Sequence, residues 1–372
     1  MNWPCSDTNH GFVGFVGFAG LDRHSSCISA QIRARVVRHR LFMNRIDAGH
    51  LRLDLQRMES GDSAFMWSPR HRGRAACPRE GNTRAKCQVP GARCQVPGAK
   101  SPTMKNRTFD IDCRLSYTLT ASTDFIFQVH ALHGMDQEVL SESLVLTPGV
   151  RQHLYEDPLL KQRFLRVQAV AGPLELRYRA RVQVARPAPN RRADEHPIAE
   201  LPDDVLHNLM PTRYCESDLL APAALKLFGA LTPGWCRVQA ICDWIHCNIG
   251  YQIGSSDSTT TARDVFVRRA GVCRDHAHLG VTFCRALNIP ARLAVGYAVF
   301  DSPPPDFHAI FEAYLGGRWQ LFDPTRMSPP RELVRIAVGR DAKDVAFATI
   351  FGQATSRKVL PRIAAAPSPA LG

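Results

Sequence analysis

Between residues 115 and 184 hydrophobic positions alternate with polar ones. The alternation is most regular where Leu174, Leu176, Tyr178, Ala180, Val182 and Val184 take every second place and Glu175, Arg177, Arg179, Arg181 and Gln183 fill the gaps. A period of two belongs to a half-buried strand. Leu115-Tyr117-Leu119, Phe125-Phe127-Val129, Val139 to Leu146 and Phe164 to Val170 predict further strands, with Thr147-Pro148-Gly149 and Ala171-Gly172-Pro173 as turns. The expected unit is a small antiparallel β-domain over 104–186, folded as a sandwich. A Pro-, Arg- and acid-rich stretch follows and reads as a linker, 187–215.

Beyond the linker the period lengthens. Residues 222–228 and 233–248 read as helices, the second with Thr232 as N-cap, Pro233 at its first position and Val238, Ile241, Cys242 and Ile245 on one face. A third helix opens at Gly271-Val272-Cys273 and runs to about Leu287, where Asn288 and Pro290 stop it. Ala309 to Leu315 and Arg318 to Phe322 are strand-like, and Gly316-Gly317 between them suits a primed two-residue hairpin turn. These elements predict a mixed helix and sheet domain over 216–362, with a tail at 363–372.

The first 103 residues have a different texture. GFVGFVGF is a short tandem, CQVPGAR is followed at once by CQVPGAK, and arginines are scattered without a period. The segment reads as a low-complexity basic extension that is disordered or lies upstream of the native start, with Met104 as the expected true start. Of the formal net charge of +13, this quarter holds 16 Lys/Arg against 7 Asp/Glu and the remainder 31 against 27. A nucleic-acid or membrane reading would have to rest on the extension, so no specific nucleic acid and no membrane is expected as a partner. The longest apolar run, Gly11 to Leu21, is too short to span a bilayer. The twelve cysteines form no CxxC pair, and four lie in apolar helix-like stretches, which predicts reduced thiols and a cytoplasmic location. Cys242 and His246 are spaced i, i+4, yet no third and fourth ligand accompanies them, so no metal is expected.

Candidate chemistry concentrates between Gly271 and Asp323. Cys273 sits at a predicted helix N-terminus, where unsatisfied N–H groups and the macrodipole favour a thiolate and can hold an oxyanion. The two-glycine turn sets a register in which 315 faces 318, 312 faces 321 and 310 faces 323, so that His308 and Asp323 become diagonal neighbours on one side. Asp323 would orient the ring, and His308 would activate Cys273 and later protonate a leaving amine. Tyr251 and Gln252 are further candidates for the oxyanion hole or site wall, and Arg340 with Asp341 reads as a structural ion pair.

GVCRDHAHL, LNIPARLAVGY, DFHAIFEAYLGGRWQLFDPT, GRDAKDVAFATIFG and the earlier SESLVLTPGV together resemble the bacterial transglutaminase-like superfamily, whose members share a papain-like Cys-His-Asp core. The resemblance covers about 107–362 and implies an α+β fold, a papain-like/transglutaminase-like catalytic core preceded by a small antiparallel β-sandwich-like domain. It places nucleophile, base and orienting acid on Cys273, His308 and Asp323. His276 departs from the aromatic often found there. The implied reaction is acyl transfer at an amide through a Cys thioester, with a peptide or protein amide as substrate. Hydrolysis is the expected outcome. A protein-glutamine transglutaminase using an amine acceptor and a non-catalytic binding module are the alternatives. No cofactor and no calcium site are expected, since no dense Asp/Glu cluster is present.

Overall fold

The structure, a computed structural model, describes residues 106–300 and 306–366. The predicted basic extension over 1–103 lies outside the described residues. Strands β1 (Arg107–Leu119), β2 (Thr123–Phe127), β3 (Gln137–Thr147), β4 (Gln152–Glu156), β5 (Arg163–Ala169) and β6 (Gly172–Val184) come first. After them come α1 (Ser217–Phe228), α2 (Trp235–Asn248), β7 (Gly250–Tyr251), α3 (Ala262–Arg268), β8 (Ala270–Gly271) and α4 (Cys273–Ala286). The chain closes with β9 (Ala291–Tyr297), β10 (His308–Leu315), β11 (Arg318–Phe322), β12 (Val334–Gly339), β13 (Ala348–Phe351) and β14 (Ala354–Ala365).

Two antiparallel sheets, ordered β14-β1-β6-β3 and β13-β2-β5-β4, form the β-domain. Alternate residues of β1 and β6 are buried, among them Phe109, Leu115, Leu176 and Tyr178, and they join Phe125 and Phe127 of the other sheet in one hydrophobic cluster. Tyr117 and Phe125 close the gap between the sheets with ring centroids 5.3 Å apart. On the outer face the intervening positions pair across strands, Arg177 with Asp112 and Arg181 with Asp110, each at 2.7 Å. β4 escaped the sequence reading because all five of its residues are exposed, leaving no alternation to detect.

The sequence pattern puts residues 348–365 in the second domain and its tail, and the structure places them otherwise. β13 pairs with β2 and β14 with β1, so the end of the chain returns to complete both sheets of the first domain. The hydrophobic pattern of β1 reports that it is covered, but not which strand supplies the cover. The 187–215 stretch also differs from a free spacer: Ala193, Leu201, Val205, Tyr214 and Cys215 are buried. Short 3-10 turns at Ile198–Glu200 and Asp203–Leu209 carry it along the second domain, and each follows a proline.

The second sheet, β11-β10-β9-β12, has α4 on one face. Gly280 in the middle of α4 permits this approach, since a Cβ there would meet the ring of Phe311 on β10. α1 begins at Ser217, ahead of the predicted start, and takes Pro222 within its first turns. α2 begins at Trp235 after Gly234, whose φ of +103° suits glycine alone, so Thr232 is not its cap. Asn288, at a φ of +62°, ends α4 as predicted.

Candidate active site

Cys273 is the first residue of α4. Its position is fixed from both sides. The Asp275 carboxylate accepts the Val272 N–H at 2.9 Å, one half of a capping arrangement. The same carboxylate takes Nε of Arg274 at 3.0 Å, and Arg274 reaches on to the Asp257 carbonyl at 2.8 Å. Upstream, β7 and β8 pair in parallel, aligning Tyr251 with Gly271, and Gln252 N–H donates to the Gly271 carbonyl at 2.9 Å. The Cys273 sulfur is half-buried and lies 4.0 Å from the Phe307 carbonyl.

The hairpin adopts the register read from its turn: Leu315 pairs with Arg318, Glu312 with Leu321 and Phe311 with Phe322. Gly316 and Gly317 both have positive φ, +58° and +76°, as a type I′ turn requires. His308, at the start of β10, and Asp323, just past β11, meet with Nε2 2.9 Å from Oδ2. Both side chains are buried. The other carboxylate oxygen accepts from the Thr325 N–H at 2.8 Å and its hydroxyl at 2.6 Å. Burial opposes charge on the ring, but the bond to Asp323 and the neighbouring Cys273 side chain outweigh it and raise the imidazole to about 10. Burial likewise opposes the Asp323 carboxylate, and His308 with Thr325 still holds it below its ordinary range. With Nε2 engaged, Nδ1 of His308 has no regular hydrogen-bond partner among the described residues, and the thiol of Cys273 is the remaining group that bears on the ring.

The structure thus brings Cys273, His308 and Asp323 to one point, together with Tyr251. The Tyr251 hydroxyl is in hydrogen-bonding range of the Cys273 main-chain N–H and of its thiol. Burial, with Cys273 beside it, pushes this phenol upward, so it remains a donor at neutral pH. Gln252 does not join them by its side chain. It is exposed, and its hydrogen bonds are main-chain ones to Gly271 and to Ser255. His276 is buried, with Nδ1 2.9 Å from the Val272 carbonyl and its ring 5.8 Å from that of Tyr251. It backs the site wall rather than facing the thiol.

Three neighbours went unremarked in the sequence. Thr325 has a local signal, since in Asp-Pro-Thr an aspartate can bond its own backbone two residues on. Phe300, whose ring centroid lies 5.4 Å from that of His308, is brought in by packing, while Asp306, partly buried and raised to about 6 by desolvation, stands two residues ahead of His308 in the chain. The expected pair of Arg340 with Asp341 is replaced by one with Asp344, four residues on in the turn after β12, at 2.9 Å. Cys242 is packed in the core while His246 of the same helix is exposed. Among the described residues no group of three or more His, Cys, Asp or Glu is placed to hold a metal. No helix there is long and apolar enough to cross a membrane.

Comparison with known proteins adds five findings. The profile of the Transglutaminase-like superfamily matches residues 223–324, and that of the Bacterial transglutaminase, N-terminal domain, matches 104–204. The chain is similar to a solved structure described as a "Putative Cysteine Protease from Cytophaga hutchinsonii", with 42% identity, a TM-score of 0.68, and coverage of 71% of this chain and 92% of that one. It is 29% identical over 146 residues to "Uncharacterized protein ML0607" of Mycobacterium leprae (strain TN), 37% of this chain and 52% of that protein, and so spans about half the length of that curated relative. The periplasmic domain of TgpA from Pseudomonas aeruginosa is similar at 16% identity and a TM-score of 0.33, covering 62% of this chain and 95% of that one.

Proposed function

Because this chain belongs to the transglutaminase-like superfamily, with a bacterial transglutaminase N-terminal domain ahead of its core, we propose that it performs thiol-dependent acyl transfer at an amide or peptide bond and that water is the usual acceptor. The observation that carries this reading is the convergence of the thiol at the head of α4 with a buried imidazole that is itself bonded to Asp323 at 2.9 Å.

Cys273 attacks the carbonyl carbon as thiolate, and the carbonyl oxygen becomes an oxyanion held by the Cys273 N–H and the Tyr251 hydroxyl. The His308 imidazolium gives its proton to the amide nitrogen, which leaves as an amine. A thioester remains on Cys273. His308, now neutral, takes a proton from water as the water attacks, and the collapse of the second intermediate releases a carboxylic acid and restores the thiol–imidazole pair. Asp323 holds the ring tautomer and stabilises the imidazolium throughout. The buried thiols of Cys113, Cys215, Cys242 and Cys284, packed in the core without a disulfide, support a reducing compartment, the cytoplasm, for this chemistry.

The test is product analysis with a glutamine- or amide-containing peptide. The reading expects free acid and released amine by mass spectrometry, a minor conjugate when a primary amine is added at about millimolar concentration, within the range of ordinary substrate levels, and no change with a chelator. Conjugate dominating at low amine would establish a transglutaminase. Turnover persisting in Cys273→Ala would remove the mechanism.

A further inference from the structure

The face of the second sheet opposite α4 carries a cavity of about 750 Å³ that wraps the edge strand β11 and reaches the back of Asp323. Its lining is strongly unbalanced in charge. Seven arginines line it, against two carboxylates, Asp136 and Asp323, and Asp323 is already engaged by His308. Beneath the lining, Glu312 is fully buried between Arg292, at 2.7 Å, and Arg335, at 2.5 Å. One carboxylate therefore serves two guanidinium groups. Arg186, also buried, spends one nitrogen on the carbonyls of Pro330, Arg331 and Leu333, and its nearest carboxylate oxygen, on half-exposed Asp136, stands 4.0 Å away.

The hydrogen-bond balance of the cavity is equally one-sided. Fourteen buried side-chain polar atoms lack a partner among the described residues, and six of them belong to residues lining this one cavity: Nε and one terminal nitrogen of Arg186, a terminal nitrogen of Arg292, Nε of Arg331, Nε of Arg335 and the hydroxyl of Ser328. All six can donate, and five can only donate. Arg186, Arg292 and Arg335 are more than nine-tenths buried. Burial and the charge of Arg335 bring Arg186 down to about 9, the sign of positive charge without enough counter-charge. Buried donors left unmatched cost about 1–3 kcal/mol each, more when charged, so a cluster of them on one cavity needs a matching acceptor.

We propose that this cavity is a binding site for a small multivalent oxyanion, a phosphate or a polycarboxylate, held by Arg186, Arg292, Arg331 and Arg335. Guanidinium forks match such oxygens in pairs, and the lining offers only Asp136, 4.0 Å from Arg186, and the already engaged Asp323 as carboxylate competitors. The site is separate from the thiol, since Cys273 and His308 do not line it, and it stands whether or not the acyl-transfer reading holds.

The full chain is titrated calorimetrically with inorganic phosphate, pyrophosphate and malonate, with chloride at matched ionic strength as the reference. The expected result is saturable binding near one per chain for at least one of the three, together with a raised melting temperature, and the tighter of phosphate and malonate identifies the ligand class. Arg186→Gln should weaken binding at least tenfold. Because that side chain braces three carbonyls, the partly exposed Arg331, which braces one, that of Arg186 at 2.9 Å, supplies the second variant: Arg331→Gln should weaken binding in the same direction, while Arg213→Gln, outside the cavity, should not. No response beyond that to chloride with any of the three anions overturns the site. So does unaltered affinity in well-folded Arg331→Gln and Arg186→Gln.

Discussion

Oδ2 of Asp323 lies 2.9 Å from His308 Nε2 while Oδ1 of the same carboxylate is filled by the N–H and hydroxyl of Thr325. Both oxygens accept, which makes the position intolerant of a side chain that must donate from one of its two ends. Asp323→Asn can keep the Thr325 contacts only by turning its NH2 toward the ring, which forces Nε2 to accept and puts the proton on Nδ1. A ring in that tautomer cannot take a proton from Cys273. Steady-state kinetics should show turnover reduced by on the order of 10⁴ with the fold intact, by analogy with other orienting carboxylates. An Asp323→Asn enzyme within a few-fold of wild type would contradict this role.

The protonated ring also enters stability. An ordinary histidine titrates near 6.5, whereas His308 holds its proton to about 10 in the folded chain. Its contribution is therefore complete below about pH 6.5 and is lost as pH rises toward 10, because the unfolded chain has already released that proton. Melting temperatures measured from pH 7 to 10 should fall more steeply in wild type than in His308→Gln. Parallel slopes would show that the folded chain does not retain this proton.

Glu312 tests the buried charge cluster. Burial opposes its charge, yet Arg335 and Arg292 hold it down to about 2. Glu312→Gln keeps the shape and strands two buried guanidinium groups, so denaturant unfolding should show a loss of about 3–5 kcal/mol. In wild type the contribution is present above about pH 4.5 and fades as pH falls toward 2. A neutral effect of the substitution would mean that the arginines find other partners.

The legible parts of the fold were those with local causes. The alternation of β6, the Asn288 stop of α4 and the two-glycine turn each act within a few residues, and the turn alone was enough to bring His308 and Asp323 to one side. What the sequence left unread depends on distant partners. Nothing within 354–365 says that it pairs with β1, more than two hundred residues earlier. Exposed β4 carries no hydrophobic period, and Phe300 meets His308 through packing alone.

That long-range pairing has a measurable consequence. A fragment limited to 104–186 lacks β13 and β14 and so leaves the edges of β2 and β1 bare. Circular dichroism should find no cooperative melt for this fragment, while 104–366 melts cooperatively. A fragment of 104–186 that folds alone would show the returning strands to be dispensable.

The acyl-enzyme is the most direct test of the account. Wild-type protein is mixed with an activated ester, quenched in acid within the first turnovers, and its peptides mapped by mass spectrometry. The account predicts one acyl adduct, on the peptide containing Cys273, formed in Asp323→Asn at a much reduced rate and absent from Cys273→Ala. An adduct of equal yield on another cysteine, or turnover without any adduct at Cys273, would contradict it.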